Sequence, residues 1–168
     1  MSEFARPYDL RTLPAAVQHI TATPEECAAL AARFDLVAVK RLEARVTFVS
    51  DGPNILARGR LTADIVQACA VSDEDLDVKI DESVDLRFVP ALSAPDPDSE
   101  IELDEGELDD IEMAGGKFDL GEALAQTLGL AIDPYLTGPD AEEARRKAGI
   151  VSEGQAGPFG ALKGLLKE

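Results

Sequence analysis

The chain has 168 residues and 45% of them are hydrophobic, so it can form one domain with a sizeable core and is not disordered throughout. Sixteen Lys and Arg stand against 33 Asp and Glu, and the net charge of −17 disfavours non-specific binding of a phosphate backbone through the whole surface. The same charge attracts basic proteins and basic tails, although solubility alone explains it equally well.

The first residues lack the positive and apolar regions of a secretory signal, and no apolar run approaches the ~20 residues of a membrane helix. We therefore expect a cytoplasmic protein with no membrane contact. In that compartment its two cysteines, Cys27 and Cys69, are expected to stay reduced.

The first elements along the chain are a short strand and a well-marked helix. Residues 8–13, bounded by two prolines, predict an edge strand. Thr23, Pro24 and Glu26 match an N-cap residue, a proline in the first turn and the partner of a capping box. They predict a helix over 24–34, with Cys27 as a small apolar residue on its buried side.

Three long stretches with alternating apolar and polar side chains follow, over 36–49, 54–68 and 76–89. A Gly-Pro turn separates the first two and an acidic break separates the last two, which predicts an antiparallel meander. Alternate side chains of a strand point to opposite faces, so each strand has one apolar face for the core. The apolar set begins at Ala38 in the first strand, and Glu82 interrupts it in the third.

The composition changes between residues 96 and 112, where there are ten acids and no Lys or Arg. Apolar residues are threaded through this segment, so part of it is expected to pair as an edge strand. The rest is expected to form a solvated loop.

A second well-marked helix is predicted over 119–132, with Asp119 as its N-cap and Pro134 ending it. A weaker helix is predicted over 139–148. The chain then becomes glycine-rich and ends in a short amphipathic stretch, which either frays or docks on a partner.

Together these elements predict an α+β protein, in which an antiparallel sheet of four to six strands is covered by the helices 24–34 and 119–132. Residues 1–137 are expected to form a single domain that includes the acidic loop 96–112. Residues 138–168 are expected to form a helical or flexible tail.

The sequence contains no recognisable catalytic motif. The single histidine, His19, has no nucleophile motif around it, and we expect a structural or surface role. Acids between Asp96 and Glu107 match the spacing of a calcium loop, but Ile101 stands where its turn needs glycine. One histidine and two cysteines do not suffice for a zinc site with four such ligands. We therefore expect no catalysis, no metal and no cofactor.

Two charged regions are candidate surfaces for binding a partner. Outward arginines on neighbouring strands are placed to form a basic patch on the sheet, although pairing with Glu43 and Asp64 across the strands is the simpler expectation. The acidic segment is the second region and suits a basic protein. The candidate residues are Arg41, Arg45, Arg58, Arg60, Asp104, Glu105, Glu107, Asp109 and Asp110.

Five blocks of sequence occur in a recognisable order: IVQAC, DLRFVP, FDLGE, LAIDPY and GPFGALK. Over residues 54–166 this series resembles the YceD-like family, the large ribosomal RNA subunit accumulation proteins of bacteria and plastids. Many members have Cys-x-x-Cys at the end of the central strand and a Leu-Glu-Pro turn after it. Here Ser72 takes the place of the second cysteine, and residues 73–75 are all acidic. The family-motif positions are Cys69, Phe88, Pro90, Asp119, Leu120, Pro134 and Tyr135.

The resemblance implies a role in the accumulation or processing of large-subunit ribosomal RNA, as an assembly factor and not as an enzyme. Together with the negative charge, it predicts binding to a basic ribosomal protein or to a large-subunit precursor. Two alternatives stay open. One is direct RNA binding through the arginine patch, and the other is a small-molecule or metal-dependent enzyme.

Overall fold

A computed structural model describes residues 2–72, 74–91 and 110–149 of the chain. The strands found there are β1 (Pro7–Asp9), β2 (Gln18–Thr21), β3 (Ala38–Asp51), β4 (Asn54–Ala68), β5 (Asp75–Pro90), β6 (Asp110–Met113) and β7 (Lys117–Asp119). The α-helices are α1 (Pro24–Arg33), α2 (Leu120–Ala131) and α3 (Ala141–Lys147). Most of the acidic segment, residues 92–109, and the amphipathic end of the chain lie outside the described residues.

The chain divides into two compact units. The larger one, here called the sheet unit, comprises Met1–Val66 and Asp77–Ile132. The smaller one, here called the cysteine unit, comprises Gln67–Leu76 and the chain from Asp133 onward. The elements confirm the predicted α+β class, and the three long predicted strands are β3, β4 and β5.

The main sheet has the strand order β2-β3-β4-β5-β6. The β3–β4 pair is antiparallel, as predicted, and β2 also pairs with β3 in the antiparallel direction. By contrast, β6 runs parallel to β5, with Arg87 opposite Asp110 and Pro90 opposite Met113. The sheet is therefore mixed. Parallel neighbours need a connection of about a dozen residues or more, and the segment between β5 and β6 has that length. The edge strand predicted inside the acidic segment is β6.

One strand differs from the predicted alternation because of a β-bulge. The pairing of β3 with β4 shifts register between Val39 and Arg41. Val39 is buried and Lys40 is exposed, whereas Ala38, which we predicted on the apolar face, is only half-buried. Strict alternation through Ala38 and Leu42 would have pointed the ammonium group of Lys40 into the core. The extra residue of the bulge turns that charge outward.

The N-terminal strand is shorter than predicted and lies in a different sheet. Only Pro7–Asp9 is a strand, and it pairs with β7 in a separate two-stranded sheet. The next three residues form a 3₁₀ turn because the Asp9 carboxylate accepts a hydrogen bond from the Arg11 N–H, with an N–O distance of 3.0 Å. The edge strand of the main sheet is instead β2, which sequence analysis missed.

Both main helices have the ends that the sequence predicts. At the start of α1 the Thr23 hydroxyl accepts from the Glu26 N–H at 3.2 Å, and the Glu26 carboxylate accepts from the Thr23 N–H at 2.8 Å. At the start of α2 the Asp119 carboxylate accepts from the Glu122 N–H at 3.2 Å. The helices bury their apolar sides in one core with the sheet. Its fully buried members include Leu30, Leu42, Ile55, Leu61, Leu124 and Leu128.

The pH dependence of stability is expected to report an ion pair between the two helices. Arg33 donates to Glu122 at 2.7 Å and holds the pKa of that carboxyl at about 2, against about 4.3 in an unfolded chain. The pair therefore stabilises the fold above about pH 4.3 and stops doing so as the pH falls toward 2. Melting curves of the wild type and Glu122→Gln should differ at neutral pH and converge at low pH. A gap in melting temperature that does not narrow would contradict this assignment.

Candidate functional site

The candidate basic patch lies on the outer face of the main sheet. Alternation along β3 and β4 turns Arg41, Arg45, Arg58 and Arg60 away from the core, and all four are exposed. The same alternation brings acids to this face from β3, β4 and β5. The question is therefore whether the arginines are available to a partner or are already paired.

Most of these arginines form ion pairs across the strands. Arg41 donates to Asp64 of β4 at 2.9 Å, as the simpler of our two expectations predicts, and to Glu43 of its own strand at 3.0 Å. This hydrogen bond from Arg41 is the main reason that the pKa of Asp64 is lowered. Surface ion pairs of this kind contribute little to stability, about 0–1 kcal/mol each. Their effect here is to cancel positive charge.

The two arginines of β4 pair with β5, which sequence analysis did not predict. Arg58 donates to Asp85 at 3.2 Å, and Arg60 donates to Asp81 with an Nη2–Oδ2 distance of 2.8 Å. Lys79 of β5 lies 3.6 Å from Asp64 of β4. In these pairs the residue number rises along β4 while it falls along β5, which is the order of antiparallel neighbours.

Arg45 is the exception among the four arginines, since it forms no ion pair with any described residue. It stands directly between His19 of β2 and Arg60 of β4 in the strand register. Together with Thr21 and Thr62, these residues line an open depression of about 450 Å³. Arg41 and Glu43 also line this depression, and Arg60 is already paired with Asp81, so Arg45 is the arginine of this row that lacks an acidic partner among the described residues.

A second depression lies at the other end of the sheet unit, where α2 meets β5 and β6. It has a volume of about 550 Å³, and its apolar part is formed by Leu86, Ile111, Leu130 and Ala131. Leu130 is 90% exposed, the most of any large apolar residue in the described ranges. Sequence analysis placed Leu86 and Ala131 on the apolar sides of their elements, but it did not assign Leu130 to the apolar stripe of α2.

The acidic candidates fall largely outside the described ranges. Four of them lie outside the described residues, namely Asp104, Glu105, Glu107 and Asp109. The fifth, Asp110, begins β6. Its carboxylate accepts from Arg87 at 2.8 Å and is only 12% exposed. Asp110 therefore holds the parallel pair of strands together, and its charge is already matched.

The family-motif positions separate into two groups. Phe88 and Leu120 are fully buried in the core of the sheet unit, Asp119 caps α2, and Pro90 is the exposed last residue of β5. Cys69, Pro134 and Tyr135 belong to the cysteine unit, where Tyr135 is 82% exposed. The part that the first group plays in the fold therefore explains why these residues are motif positions. The exposed Tyr135 is not explained in this way.

Cys69 is the centre of the hydrogen bonds in the cysteine unit. Its sulphur accepts from the backbone N–H groups of Val71, Ser72 and Gly138 at 3.5, 3.4 and 3.3 Å. The Ala70 N–H donates to the Leu136 carbonyl at 2.9 Å, so the two segments of this unit are tied together beside the sulphur. Within the ranges that the structure describes, no group of three or more His, Cys, Asp or Glu side chains is arranged to hold a metal ion.

The two thiols are expected to titrate in opposite directions from the ordinary value. The nearby Ser72 hydroxyl and hydrogen bonds from backbone N–H groups lower the pKa of Cys69 to about 7, whereas burial raises the pKa of Cys27. Ultraviolet absorbance of the thiolate should therefore rise near pH 7 in the wild type and in Cys27→Ala. The step should be absent in Cys69→Ala. A step near pH 7 that survives in Cys69→Ala would contradict the assignment.

No helix within the described residues is both long and apolar enough to cross a membrane.

A family model described as large ribosomal RNA subunit accumulation protein YceD matches residues 57–166, which is more than half of the chain. This match confirms the resemblance read from the sequence blocks. None of the curated proteins and none of the solved structures gives a significant match to the chain.

Proposed function

Because this chain belongs to the YceD family of large ribosomal RNA subunit accumulation proteins, we propose that it supports this accumulation by binding a basic protein partner. The partner is a basic ribosomal protein, met free in the cytoplasm or on a large-subunit precursor. The observation that carries the proposal is the excess of negative charge along this chain.

The net charge of −17 repels a bare phosphate backbone and attracts a basic protein. The positive side chains on the sheet do not reverse this, since Arg41, Arg58 and Arg60 are all paired with acids. The ten acids between residues 96 and 112 have no Lys or Arg among them. A partner rich in Lys and Arg gains from both features.

We place this function in binding and not in catalysis. A carboxyl group that acts as a general acid near neutral pH needs a raised pKa. Among the described carboxyl groups, each resolved pKa shift is downward, and its main cause is a hydrogen bond from an arginine. Such carboxylates stabilise positive neighbours and do not donate protons.

A pull-down at two salt concentrations tests the proposed partner class. The tagged chain is incubated with lysate at about 0.1 M and about 1 M salt, where electrostatic screening lengths are about 10 Å and 3 Å. We expect basic large-subunit proteins at the lower concentration, their loss at the higher one, and no effect of ribonuclease. Recovery that depends on intact RNA would contradict binding through a protein.

The depression around Arg45 favours a second candidate, direct RNA binding through the sheet. Arg45 lacks an acidic partner among the described residues and lies beside His19 and Arg60. If this face binds RNA, Arg45→Ala should weaken binding of a large-subunit RNA fragment and reduce its salt dependence by about one phosphate contact. Arg11→Ala, which removes an exposed arginine outside the main sheet, is the matched control. Equal binding by both variants would eliminate this candidate.

A further inference from the structure

The cysteine unit carries an aromatic side chain that contributes little to the core. Tyr135 is 82% exposed, whereas the other Tyr and Phe side chains of the described residues are buried or half-buried. A ring that stays in water gives up the stabilisation that burial provides. Tyr is also one of the residue types that supply most of the binding energy in protein interfaces. The exposure of Tyr135 therefore points to a partner.

The loop that holds Tyr135 is fixed by hydrogen bonds within the cysteine unit. The Asp133 carboxylate accepts from the Tyr135 N–H at 2.9 Å, and the buried side chain of Gln67 donates to the Asp133 carbonyl. On the other side, the Leu136 carbonyl accepts from the Ala70 N–H at 2.9 Å. Because both neighbouring positions are held, binding at the ring does not require the loop to be ordered first, a step that otherwise lowers affinity.

The charge near the ring selects the kind of partner. Asp133 and Asp140 stand at the two ends of this loop, both are exposed, and no Lys or Arg lies between them in the sequence. Neither acid forms an ion pair within the part of the chain that the structure describes. The face of an aromatic ring attracts cations, and nearby carboxylates attract cations and repel phosphates. The loop is therefore suited to a positively charged side chain.

We propose that Tyr135 is the anchor for an arginine of the basic protein partner. The guanidinium group stacks on the tyrosine ring, and the Asp133 carboxylate supplies negative charge beside it. Arginine suits this site better than lysine, because its guanidinium is planar, stacks on aromatic faces and is more weakly hydrated. This inference rests on the proposed function, because it names the side chain with which the protein holds its basic partner.

A tryptophan at this position gives the site its own optical signal. The chain contains no Trp, so Tyr135→Trp introduces a single one and keeps an aromatic face for the cation. The probe is a short peptide in which Arg alternates with Gly, added to the full chain. We expect the free variant to emit as tryptophan does in water, and the peptide to change this emission saturably. An emission that the peptide leaves unchanged would contradict the proposal.

Substitutions at Tyr135 test the ring itself, with a fluorescently labelled form of the same peptide. Tyr135→Phe should bind it within about twofold of the wild type, and Tyr135→Leu about tenfold more weakly. Leu130→Ala, at a side chain of the sheet unit that is 90% exposed, is the control for exposed apolar surface and should bind as the wild type does. Equal binding by Tyr135→Leu and the wild type would overturn the proposal.

The choice of arginine is tested with a second peptide of the same length and charge, in which Lys replaces every Arg. Charge alone attracts the two peptides equally, whereas stacking on the ring favours Arg. We expect the Lys peptide to bind the wild type several-fold more weakly than the Arg peptide. We also expect Tyr135→Leu to bind the two peptides alike. Equal affinities of the two peptides for the wild type would contradict an arginine anchor.

Two further variants test the charge beside the ring. Asp133→Asn keeps a side-chain oxygen that accepts from the Tyr135 N–H but removes the charge. Asp35→Asn changes the net charge equally in the sheet unit, at an exposed residue whose φ of 53° suits asparagine. Asp133→Asn should weaken binding of the Arg peptide several-fold more than Asp35→Asn. Equal effects of the two variants would overturn the part assigned to Asp133.

Other occupants of the ring are distinguished by the same tryptophan signal. If the free Tyr135→Trp variant already emits as a buried indole, the chain's own residues cover this position and the proposal is wrong. An emission that changes with protein concentration alone would assign the site to a second copy of the chain. Binding of a single-stranded RNA oligonucleotide that Tyr135→Leu abolishes would assign the ring to base stacking. Each of these results would overturn the proposal.

The pull-down from lysate separates this inference from the proposed function. We expect Tyr135→Leu to recover less of the basic large-subunit proteins than the wild type does at low salt. Should the two recover these proteins equally, the anchor proposal fails while the proposed function stands. Should the wild type recover no basic protein, the proposed function fails, whatever the Arg peptide does.

Discussion

Replacement of Phe88 by alanine is expected to lower the free energy of unfolding by about 3–5 kcal/mol. Phe88 is fully buried, and its ring stacks on that of Phe118 with a centroid distance of 4.1 Å. Phe118 in turn contacts Tyr8 and Phe48 at 5.8 Å, so one ring of β5 joins an aromatic cluster that includes three other strands. Alanine leaves a cavity at the point where these strands meet. Urea unfolding followed by circular dichroism measures the loss.

The matched control is Tyr135→Ala, which also removes an aromatic side chain at a family-motif position. Tyr135 is 82% exposed, and its substitution is expected to change the free energy of unfolding by less than about 0.5 kcal/mol. A small effect at Phe88, or a large one at Tyr135, would contradict the separation of the motif into core and surface positions. With the predicted result, Tyr135 becomes the motif residue to test in partner binding.

Gly121→Ala is expected to destabilise the sheet unit by about 3 kcal/mol, the upper end of what overpacking costs. Gly121 lies in the first turn of α2, and a Cβ there would overlap the carbonyl oxygen of Phe4. The obstacle is backbone that is itself held in place. The Arg6 N–H donates to the Asp119 carboxylate at 2.7 Å, and the Leu120 N–H donates to the Arg6 carbonyl at 3.0 Å. The thermal unfolding midpoint is the simplest readout.

Gly129→Ala in the same helix is the control for helix propensity. A Cβ at Gly129 would meet the ring of Phe34 at 2.7 Å, but a side-chain ring is able to move aside. Alanine also favours the helix interior over glycine by about 1 kcal/mol. The net change at Gly129 is expected to be small. Equal losses at Gly121 and Gly129 would show that the Phe4 backbone is not what excludes a side chain at Gly121.

The elements that sequence patterns predicted best are those in which local chemistry and burial agree. The capping box at Thr23 and the N-cap at Asp119 fix where α1 and α2 begin, and both predictions are confirmed. In β4 the alternating residues from Ile55 to Ile65 are buried as predicted, except Gly59, which is exposed. Local rules were sufficient in these places, since each residue's neighbours along the chain decide its conformation.

The errors arise where distant partners decide the structure. The weakly patterned stretch that contains β2 becomes a strand because β3 offers it an edge, with His19 opposite Arg45. The parallel direction of β6 depends on the path of its connection and not on its own four residues. The bulge at Lys40 was detectable in principle, because strict alternation would have buried a lysine next to Val39.

The candidate site was predicted only in part. Outward positions of Arg58 and Arg60 followed from alternation, but their partners Asp85 and Asp81 depend on the register between β4 and β5. The signal that we did not use is that Arg residues recur along β4 while Asp residues recur along β5, in the opposite order along the chain. Leu130 lies outside the apolar stripe of α2, so its exposure agrees with the helical periodicity.

Depletion of this protein, followed by sedimentation of ribosomal subunits, tests the account most directly. We expect the peak of large subunits and their mature ribosomal RNA to fall relative to the small subunit, and wild-type protein to restore it. An unchanged large-subunit peak after depletion would contradict the role in large-subunit accumulation on which the proposed function rests.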